Sequence, residues 1–476
     1  MQINEEYFNN DDFREKLKSY EESVESGHPI FLDVDDLTDI IDYYNLMQMD
    51  KEAEQTADYA LSLFPGASGP ITYKVRRCIG KNNFEKAEEL LEEVNDKDID
   101  YMYIQAEIFL AKNMPDEADR ILEEAVALAD EDDLDNSLLD AANILFDYGY
   151  YELANEWIRK VGDKSSEDYI ELKVKILSNQ GEIDRAERLL NKLIDNNPYE
   201  HKYWNLLSYS QLSNNRISDA MTSNEYSLAV SPDNPEGILC KARILSALYS
   251  FEEAVKYYIK YSHIYPNDIN SLLQIGYCFL HMNKNEEALN IYLLAEKKAE
   301  EDEPTLRMIY ENIALAYSHL HNMDESMAYI DRLEKIIIHD ERYCIALIKG
   351  YVFLENKQMK DGILTLYNLL HEWHNAPLIM LKISVVLYEN KLIQAAYVLM
   401  HDYYPLDDES NIYGYAYYAL YCYDLGKDEE FLKMLEIAVE RNPEEAVTVL
   451  HHIFPEGMKP TEYYDYILKN NTDLLF

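Results

Sequence analysis

A helical segment that recurs about every 34 residues constrains the fold of this 476-residue chain more than any other feature. Its most regular position is an alanine, and successive anchors lie 34 residues apart three times in a row between Ala186 and Ala288. Repeats of this length form helix pairs that stack, because one pair alone cannot bury its apolar face. The twelve predicted anchors are Ala53, Ala87, Ala118, Ala154, Ala186, Ala220, Ala254, Ala288, Ser326, Gly362, Ala395 and Phe431.

Two further positions recur with the anchor. Small residues stand twelve positions before it, where they let two helices approach closely, and prolines stand twelve positions after it, where they end the second helix. Apolar residues between these positions recur every three or four residues, as in an amphipathic helix, and no comparable run alternates between apolar and polar residues as a strand would. The sequence therefore predicts an all-α fold. The small residues are Ala106, Ala142, Ser208, Ala242, Gly276, Ala314, Gly350 and Ala419, and the prolines are Pro65, Pro198, Pro232, Pro266 and Pro443.

The units at 204–232 and 272–295 resemble the tetratricopeptide repeat family most closely, with a small residue in the first helix and an alanine anchor in the second. The resemblance implies an α-solenoid of about twelve hairpins in a right-handed superhelix. We expect the repeats to span residues 34–443, with capping segments at 1–33 and 444–476. The opening FLDVDDLTDIIDYY is similar to the start of long, little-characterised bacterial proteins of this family.

Composition excludes several classes of protein. The chain carries 90 Asp and Glu against 43 Lys and Arg, a formal net charge of −47, which disfavours binding to nucleic acid or to anionic membranes. The amino terminus lacks the basic and apolar regions of a secretory signal, and no apolar run reaches the roughly 18 residues of a spanning helix. The five cysteines form no C-x-x-C pair. We expect a cytoplasmic protein with no nucleic-acid or membrane partner.

Catalytic and metal-binding motifs are absent from the sequence. It contains no phosphate-binding loop, nucleophile elbow, zinc helix or dinucleotide fingerprint. The acidic run Asp130–Asp135 lacks the glycine and the closing glutamate of a calcium loop. His371 and His374 lack a nearby third ligand for a tetrahedral zinc ion. We expect no enzyme activity, no cofactor and no metal.

The resemblance also implies where partners bind, because in the family the first helices line a concave groove that takes peptides or helices of other proteins. The positions eleven before each anchor are charged in the first half of the chain and mostly aromatic or apolar later. Tyrosine suits recognition because it combines a broad apolar face with a hydroxyl group. The alternative is that many of these tyrosines pack between helices. The full set is Asp42, Arg76, Glu107, Asn143, Lys175, Tyr209, Arg243, Tyr277, Leu315, Tyr351, Ser384 and Leu420.

Two functional hypotheses follow. The first is a non-catalytic scaffold or adaptor whose groove binds a protein or peptide partner through Tyr209, Arg243, Tyr277, His281 and Tyr351. The second is an acidic regulator that sequesters a basic protein through its amino-terminal third, because residues 1–150 contain 38 acidic and 12 basic side chains. High salt distinguishes the two, since only the second interaction depends mainly on charge. Formation of a homo-oligomer is left open.

Overall fold

The computed structural model describes residues 5–8, 10–27, 30–130, 132–299, 303–337, 341–373, 376–402, 404, 411–455 and 458–470. Within these ranges the regular structure is helical and no strand occurs, which confirms the predicted all-α fold. Backbone contacts divide the chain into two compact units, Met1–Ser271 and Leu272–Phe476, called unit 1 and unit 2 below.

Unit 1 begins with two helices and continues as seven hairpins. The first two are α1 (Glu5–Phe8) and α2 (Asp11–Ser26). The hairpins are α3 (Val34–Leu46) with α4 (Asp50–Leu63), α5 (Ser68–Gly80) with α6 (Phe84–Glu92), α7 (Ile99–Ala111) with α8 (Pro115–Val126), α9 (Leu134–Asp147) with α10 (Tyr151–Ile158), α11 (Glu167–Asn179) with α12 (Ile183–Asn196), α13 (His201–Ser213) with α14 (Ile217–Val230), and α15 (Pro235–Ala247) with α16 (Phe251–Ile264).

Unit 2 contains five further pairs and two terminal helices. Helix α17 starts in the last residues of unit 1 and continues into unit 2. The pairs are α17 (Ile269–His281) and α18 (Asn285–Lys298), α19 (Glu303–His319) and α20 (Met323–Ile336), α21 (Tyr343–Glu355) and α22 (Met359–Glu372), α23 (Pro377–Glu389) and α24 (Ile393–Asp402), and α25 (Tyr415–Asp424) and α26 (Asp428–Arg441). Then come α27 (Pro443–Leu450), a 3₁₀ turn (Pro460–Glu462) and α28 (Tyr463–Asn470).

The predicted anchors explain how the helices of each pair pack. The eight anchor alanines from Ala53 to Ala288 are each the fourth residue of a second helix and each 0% exposed. Ser326 and Phe431 hold the same position, with exposures of 0% and 1%, and Gly362 is also buried there. Within each unit the helix pairs therefore stack as the predicted solenoid of tetratricopeptide-like hairpins, with twelve pairs in the described ranges. The right-handed superhelix stays a prediction.

The structure corrects one anchor. Ala395 is exposed, whereas Ala396 is 0% exposed and is the fourth residue of α24. Twelve positions before Ala396 lies Ser384, a fully buried small residue of the kind found in other units. The placement of Ser384 on the inner face was therefore wrong, because this side chain lies within the helix packing. Because residues 395 and 396 are both alanine, the repeat spacing alone could not decide which of the two is the anchor.

The turn between the helices of each pair confirms this register independently. In all twelve pairs, the residue five positions before the anchor has a positive φ, between 54° and 82°. Seven of these twelve residues are Asn or Gly, which adopt this left-handed conformation at the least cost. In the pair α23 and α24 the residue is Lys391, with φ 65°. It lies five positions before Ala396 and only four before Ala395.

The amino-terminal helices pack against the first hairpin. Phe13 and Leu17 of α2 are buried in one cluster with Leu37 and Ile40 of α3. Near the other end of the described chain, the ring of Phe454 stacks on that of Tyr463 at 3.7 Å between centroids. The domain boundaries at residues 33 and 443 stay predictions.

The described helices include none that is both long enough and apolar enough to cross a membrane. The cytoplasmic location stays a prediction.

Candidate functional site

A predominantly apolar pocket lies in unit 1 between the first helices of two successive hairpins, α13 and α15. Its volume is about 240 Å³. Sites for drug-sized ligands usually hold about 300–1,000 Å³, so this pocket suits one or two amino-acid side chains better than a cofactor. Its lining includes Asn205, Tyr209, Leu239, Cys240, Arg243, Tyr261 and Tyr265.

The repeat itself builds the two walls of this pocket. Tyr209 of α13 and Arg243 of α15 hold equivalent positions, eleven residues before their anchors. Asn205 and Leu239 lie four residues earlier, which places each about one helical turn away on the same face. The structure therefore places Tyr209 and Arg243 on the walls of one pocket, and their role in binding stays a prediction.

A buried polar network fixes the start of α15 against α13. Asn234 is the N-cap of α15, and its side-chain oxygen accepts a hydrogen bond from the Gly237 backbone N–H at 2.6 Å. The Asn205 side-chain amide donates to the same oxygen at 3.0 Å. A Cβ added at Gly237 would lie only 2.5 Å from this oxygen, so glycine leaves room for the cap. This network holds the rim of the pocket in place.

Arg243 differs from the cations at equivalent positions in earlier hairpins. Arg76 donates two hydrogen bonds to Glu107, at 3.1 and 2.7 Å, and the Lys175 ammonium lies 2.8 Å from Glu171. Arg243 is exposed, and no ion pair or hydrogen bond of its side chain occurs within the described part of the chain. An unpaired guanidinium beside an apolar pocket can form a two-pronged hydrogen bond with a carboxylate of a partner.

Apart from Arg243 and Glu236, the residues that line the pocket are uncharged, and three of them are tyrosines. The Tyr209 side chain is 53% exposed, which leaves most of its ring open to contact. Cys240 is buried, and its sulfur lies 3.1 Å from the Ser208 hydroxyl. Burial raises the pKa of the Cys240 thiol, so the group stays neutral and serves as apolar lining rather than as a nucleophile. The rings of Tyr261 and Tyr265 lie 5.1 Å apart at their centroids.

The other three predicted binding residues lie in unit 2. Tyr277 and His281 of α17 form a ring pair with 4.2 Å between centroids. Burial lowers the pKa of His281, which favours its neutral form. Tyr351 of α21 is half-buried and meets His319 edge-on at 6.0 Å. Tyr277 and His281 are thus neighbours, whereas Tyr351 contacts a different histidine.

Several pocket residues were not among those predicted from the sequence. Asn205 and Leu239 lie one helical turn before the predicted Tyr209 and Arg243, on the same face of their helices, and neither carries a charge or an aromatic ring that marks it as a binding residue in the sequence. Tyr261 stands seven positions after its anchor, where Ala60 and Ala295 occupy other units. A tyrosine at a position that holds alanine in other units indicates that this unit packs differently, and this could have been read from the sequence.

One residue of the acidic run Asp130–Asp135, Asp135, forms hydrogen bonds with a neighbouring loop. The two side-chain oxygens of Asp135 accept hydrogen bonds from the backbone N–H groups of Gly162 and Asp163, both at 2.8 Å. These bonds lower the pKa of Asp135. Glu131 of the run and His374 of the predicted histidine pair lie outside the described residues. Among the residues that are described, no three His, Cys, Asp or Glu side chains could together hold a metal ion.

Comparison with known proteins returns solved structures alone, since neither a family model nor a curated protein matches the chain. A tetratricopeptide repeat protein from Parabacteroides merdae is 13% identical over 53% of this chain and 98% of its own, with a TM-score of 0.40. The Cut9–Hcn1 complex of the APC/C is 14% identical over 89% and 90%, with a TM-score of 0.34. A MamA structure is 16% identical over 34% and 93%, with a TM-score of 0.31.

Likeness at these TM-scores carries no argument about function, so the fold rests on the chain's own geometry. Twelve helix pairs occur in the described ranges, each with its anchor at the fourth residue of the second helix and a left-handed residue in the turn. Small residues lie where the paired helices cross. By the order, pairing and packing of its helices, the chain has the fold of tetratricopeptide repeat hairpins.

Proposed function

We propose that this protein is a non-catalytic scaffold or adaptor that binds a segment of a partner protein, with one side chain of that segment in the pocket beside Tyr209 and Arg243. The observation that carries the proposal is an exposed arginine, unpaired within the described chain, at the edge of an apolar pocket of side-chain size. Tyr277, His281 and Tyr351 belong to the same proposal as a contact surface in unit 2.

The pocket defines the chemistry of the bound segment. An apolar side chain such as Leu, Met or Phe would lie against Tyr209 and Leu239, and its burial stabilises the complex by about 1.5–3 kcal/mol. A carboxylate close to it in sequence would accept hydrogen bonds from Arg243. Glu236, also exposed, lines the pocket two helical turns from Arg243 and leaves that end negative. The favoured segment therefore has its acidic residue on the Arg243 side.

A displayed library of random peptides tests this proposal even though the partner is unidentified. We expect the intact chain to enrich peptides in which an apolar residue is followed or preceded closely by Asp or Glu. Arg243→Ala should remove the preference for the acid, and Tyr209→Ala should weaken binding of every selected peptide. The matched control is Lys175→Ala, which removes a cation at the equivalent position of α11, outside the pocket. Enrichment that is unchanged by both pocket substitutions would exclude this site.

The second candidate function, sequestration of a basic protein, is favoured by one observation in unit 1. The surrounding helices desolvate Asp42, Asp140 and Asp147 enough to raise the pKa of each, although the last two side chains remain exposed. None of the three forms an ion pair within the described residues. A cationic partner would stabilise their charged forms.

Binding of fluorescent oligolysine tests this second candidate. Affinity should fall steeply between low and high salt, and the double variant Asp140→Asn, Asp147→Asn should bind more weakly than the parent. Binding that is equally strong at high salt, or unchanged in the double variant, would contradict it. The pocket substitutions Arg243→Ala and Tyr209→Ala should leave this measurement unchanged, so the two candidate functions are separable.

A further inference from the structure

A partly buried lysine recurs thirteen positions before the anchor in four hairpins, where it faces the second helix of the preceding hairpin. In three of the four, the ammonium group has a carboxylate partner on that helix. Lys74 of α5 pairs with Glu54, at 3.4 Å, and with Asp58 of α4. Lys349 of α21 lies 2.9 Å from Glu334 of α20. Such a partner offsets the hydration that a cation loses on burial. The four lysines are Lys74, Lys173, Lys241 and Lys349.

The lysine of α11 meets a different environment. In both α4 and α14 the residue five positions after the anchor is an acid that pairs with the lysine of the next hairpin. In α14 it is Glu225, which lies 3.1 Å from the ammonium group of Lys241. The equivalent residue before α11 is Arg159, at the end of α10. Lys173 instead donates a hydrogen bond to the neutral side chain of Asn155, at 2.6 Å. An arginine therefore stands where other hairpins place the carboxylate.

Further positive charges surround Lys173. Burial and the charges of Arg185 and Arg159 lower its pKa, and Lys164 acts in the same direction. The carboxylate of Glu182 opposes this shift, but it already pairs with Arg185. Arg159 forms no ion pair within the described residues, and neither does Lys173. These cations therefore lack the counter-charge that the repeat supplies elsewhere.

We propose that Arg159, Lys173 and Arg185 form a binding site for a phosphate group, which supplies the negative charge that a carboxylate supplies in the other hairpins. Guanidinium groups bind phosphate through two parallel hydrogen bonds. A phosphate group carries a charge of about −1.5 to −2 near pH 7, so it balances several cations better than one carboxylate does.

The charge of the whole chain limits the size of the ligand. A net charge of −47 repels long polyanions, so the site suits a compact ligand, either inorganic phosphate or a phosphorylated side chain. The site lies where α10, α11 and α12 meet, whereas the pocket of the proposed function lies between α13 and α15. The two proposals are therefore independent.

Equilibrium dialysis of the full chain against radiolabelled inorganic phosphate, at neutral pH and constant ionic strength, tests the proposal. We expect saturable binding by the parent. Lys173→Met and Arg159→Gln should each weaken it about tenfold or more, because each removes charge-assisted hydrogen bonds. The matched control is Lys349→Met, which removes the equivalent lysine of α21, already paired with Glu334, and should leave binding unchanged. No saturable binding by the parent, or equal binding by the two site variants, overturns the proposal.

The substitution Arg159→Glu tests the comparison between hairpins. It places a carboxylate where Asp58 and Glu225 stand, so Lys173 should gain the missing ion pair. Phosphate binding should be lost, and the midpoint of thermal unfolding should rise by up to about 4 °C. Phosphate in place of chloride at equal ionic strength should raise the midpoint of the parent more than that of this variant. An Arg159→Glu variant that binds phosphate as well as the parent does would refute the site.

A short phosphoserine peptide distinguishes the two sources of the phosphate group. Displacement of labelled phosphate by this peptide at a lower concentration than by unlabelled inorganic phosphate identifies a phosphorylated side chain as the ligand. Displacement by inorganic phosphate alone identifies the free ion, because the site then excludes a phosphate attached to a chain. The unphosphorylated peptide is the control and should not compete. Equal competition by the two peptides would contradict recognition of phosphate.

Discussion

The corrected anchor of α24 leads to a prediction about two adjacent alanines. Ala396 is 0% exposed at the position where the paired helices cross, whereas Ala395 points to solvent. We expect Ala396→Leu to destabilise the protein and Ala395→Leu to leave its stability nearly unchanged. The two variants have the same composition and differ by one position, so each controls for the other.

Equivalent crossings elsewhere show how little space an anchor has. The Ser208 hydroxyl donates to the Ala220 carbonyl at 2.8 Å, and the Ser326 hydroxyl donates to that of Ala314 at the same distance. A Cβ added at Gly362 would lie 2.7 Å from a methyl carbon of Leu354. A leucine at an anchor must therefore displace neighbouring atoms, at a cost of about 1–3 kcal/mol. Leucine at an exposed helix position changes stability by less than about 0.5 kcal/mol.

Thermal unfolding of the full chain, followed by circular dichroism, measures the difference. For a unit of roughly 200 residues, 1 kcal/mol shifts the midpoint by about 2–4 °C, so Ala396→Leu should lower the midpoint of unit 2 by about 2–12 °C. Ala395→Leu should shift it by less than about 2 °C. If Ala395→Leu were the more destabilising of the two, the anchor would be Ala395, and the register deduced from the left-handed turn at Lys391 would be refuted.

Two further predictions concern buried polar groups. The hydroxyl of Tyr292 has no hydrogen-bond partner among the described residues, whereas that of Tyr421 lies 3.1 Å from the Ser384 hydroxyl. Tyr292→Phe should therefore be neutral or stabilising in denaturant unfolding, and Tyr421→Phe should cost about 1 kcal/mol; equal losses in the two variants would contradict this difference. Burial raises the pKa of Asp42 to about 6 from an ordinary 3.8, so its contribution to stability is fully present below pH 3.8 and is lost as pH rises through 6. The midpoint of Asp42→Asn minus that of the parent should increase between about pH 4 and pH 7, and a difference that does not change with pH would count against it.

The helical hairpins were predictable because each repeat imposes the same constraint at one residue. Where two helices cross, the anchor is a small residue in eleven of the twelve pairs, with Phe431 as the exception, so its spacing shows directly in the sequence. The spacing cannot identify the anchor where two adjacent residues are equally small, as at Ala395 and Ala396. In the structure, the residue with positive φ five positions before the anchor resolves such cases. In most other units this residue is Asn or Gly, which is recognisable in the sequence, whereas Lys391 in this unit is not.

The candidate pocket was only half predictable. Spacing placed Tyr209 and Arg243 at equivalent positions, and the structure brings them together. The aromatic residues Tyr261 and Tyr265 come from the end of a second helix, and their approach to α13 depends on packing between successive hairpins. Spacing within one unit holds no information about that packing. The absence of an ion pair at Arg243 within the described chain likewise depends on which side chains surround it in three dimensions.

The proposed binding pocket is a place where the chain departs from its own repeat at a cost. Cations equivalent to Arg243 are paired at Arg76 and Lys175, and an unpaired cation forgoes that stabilisation. In a repeat protein every unit could carry the more stabilising residue that other units have at the same position. A unit that keeps the costlier residue gains no stability from it within the described chain, which is the reason for proposing that a partner supplies the compensating interaction.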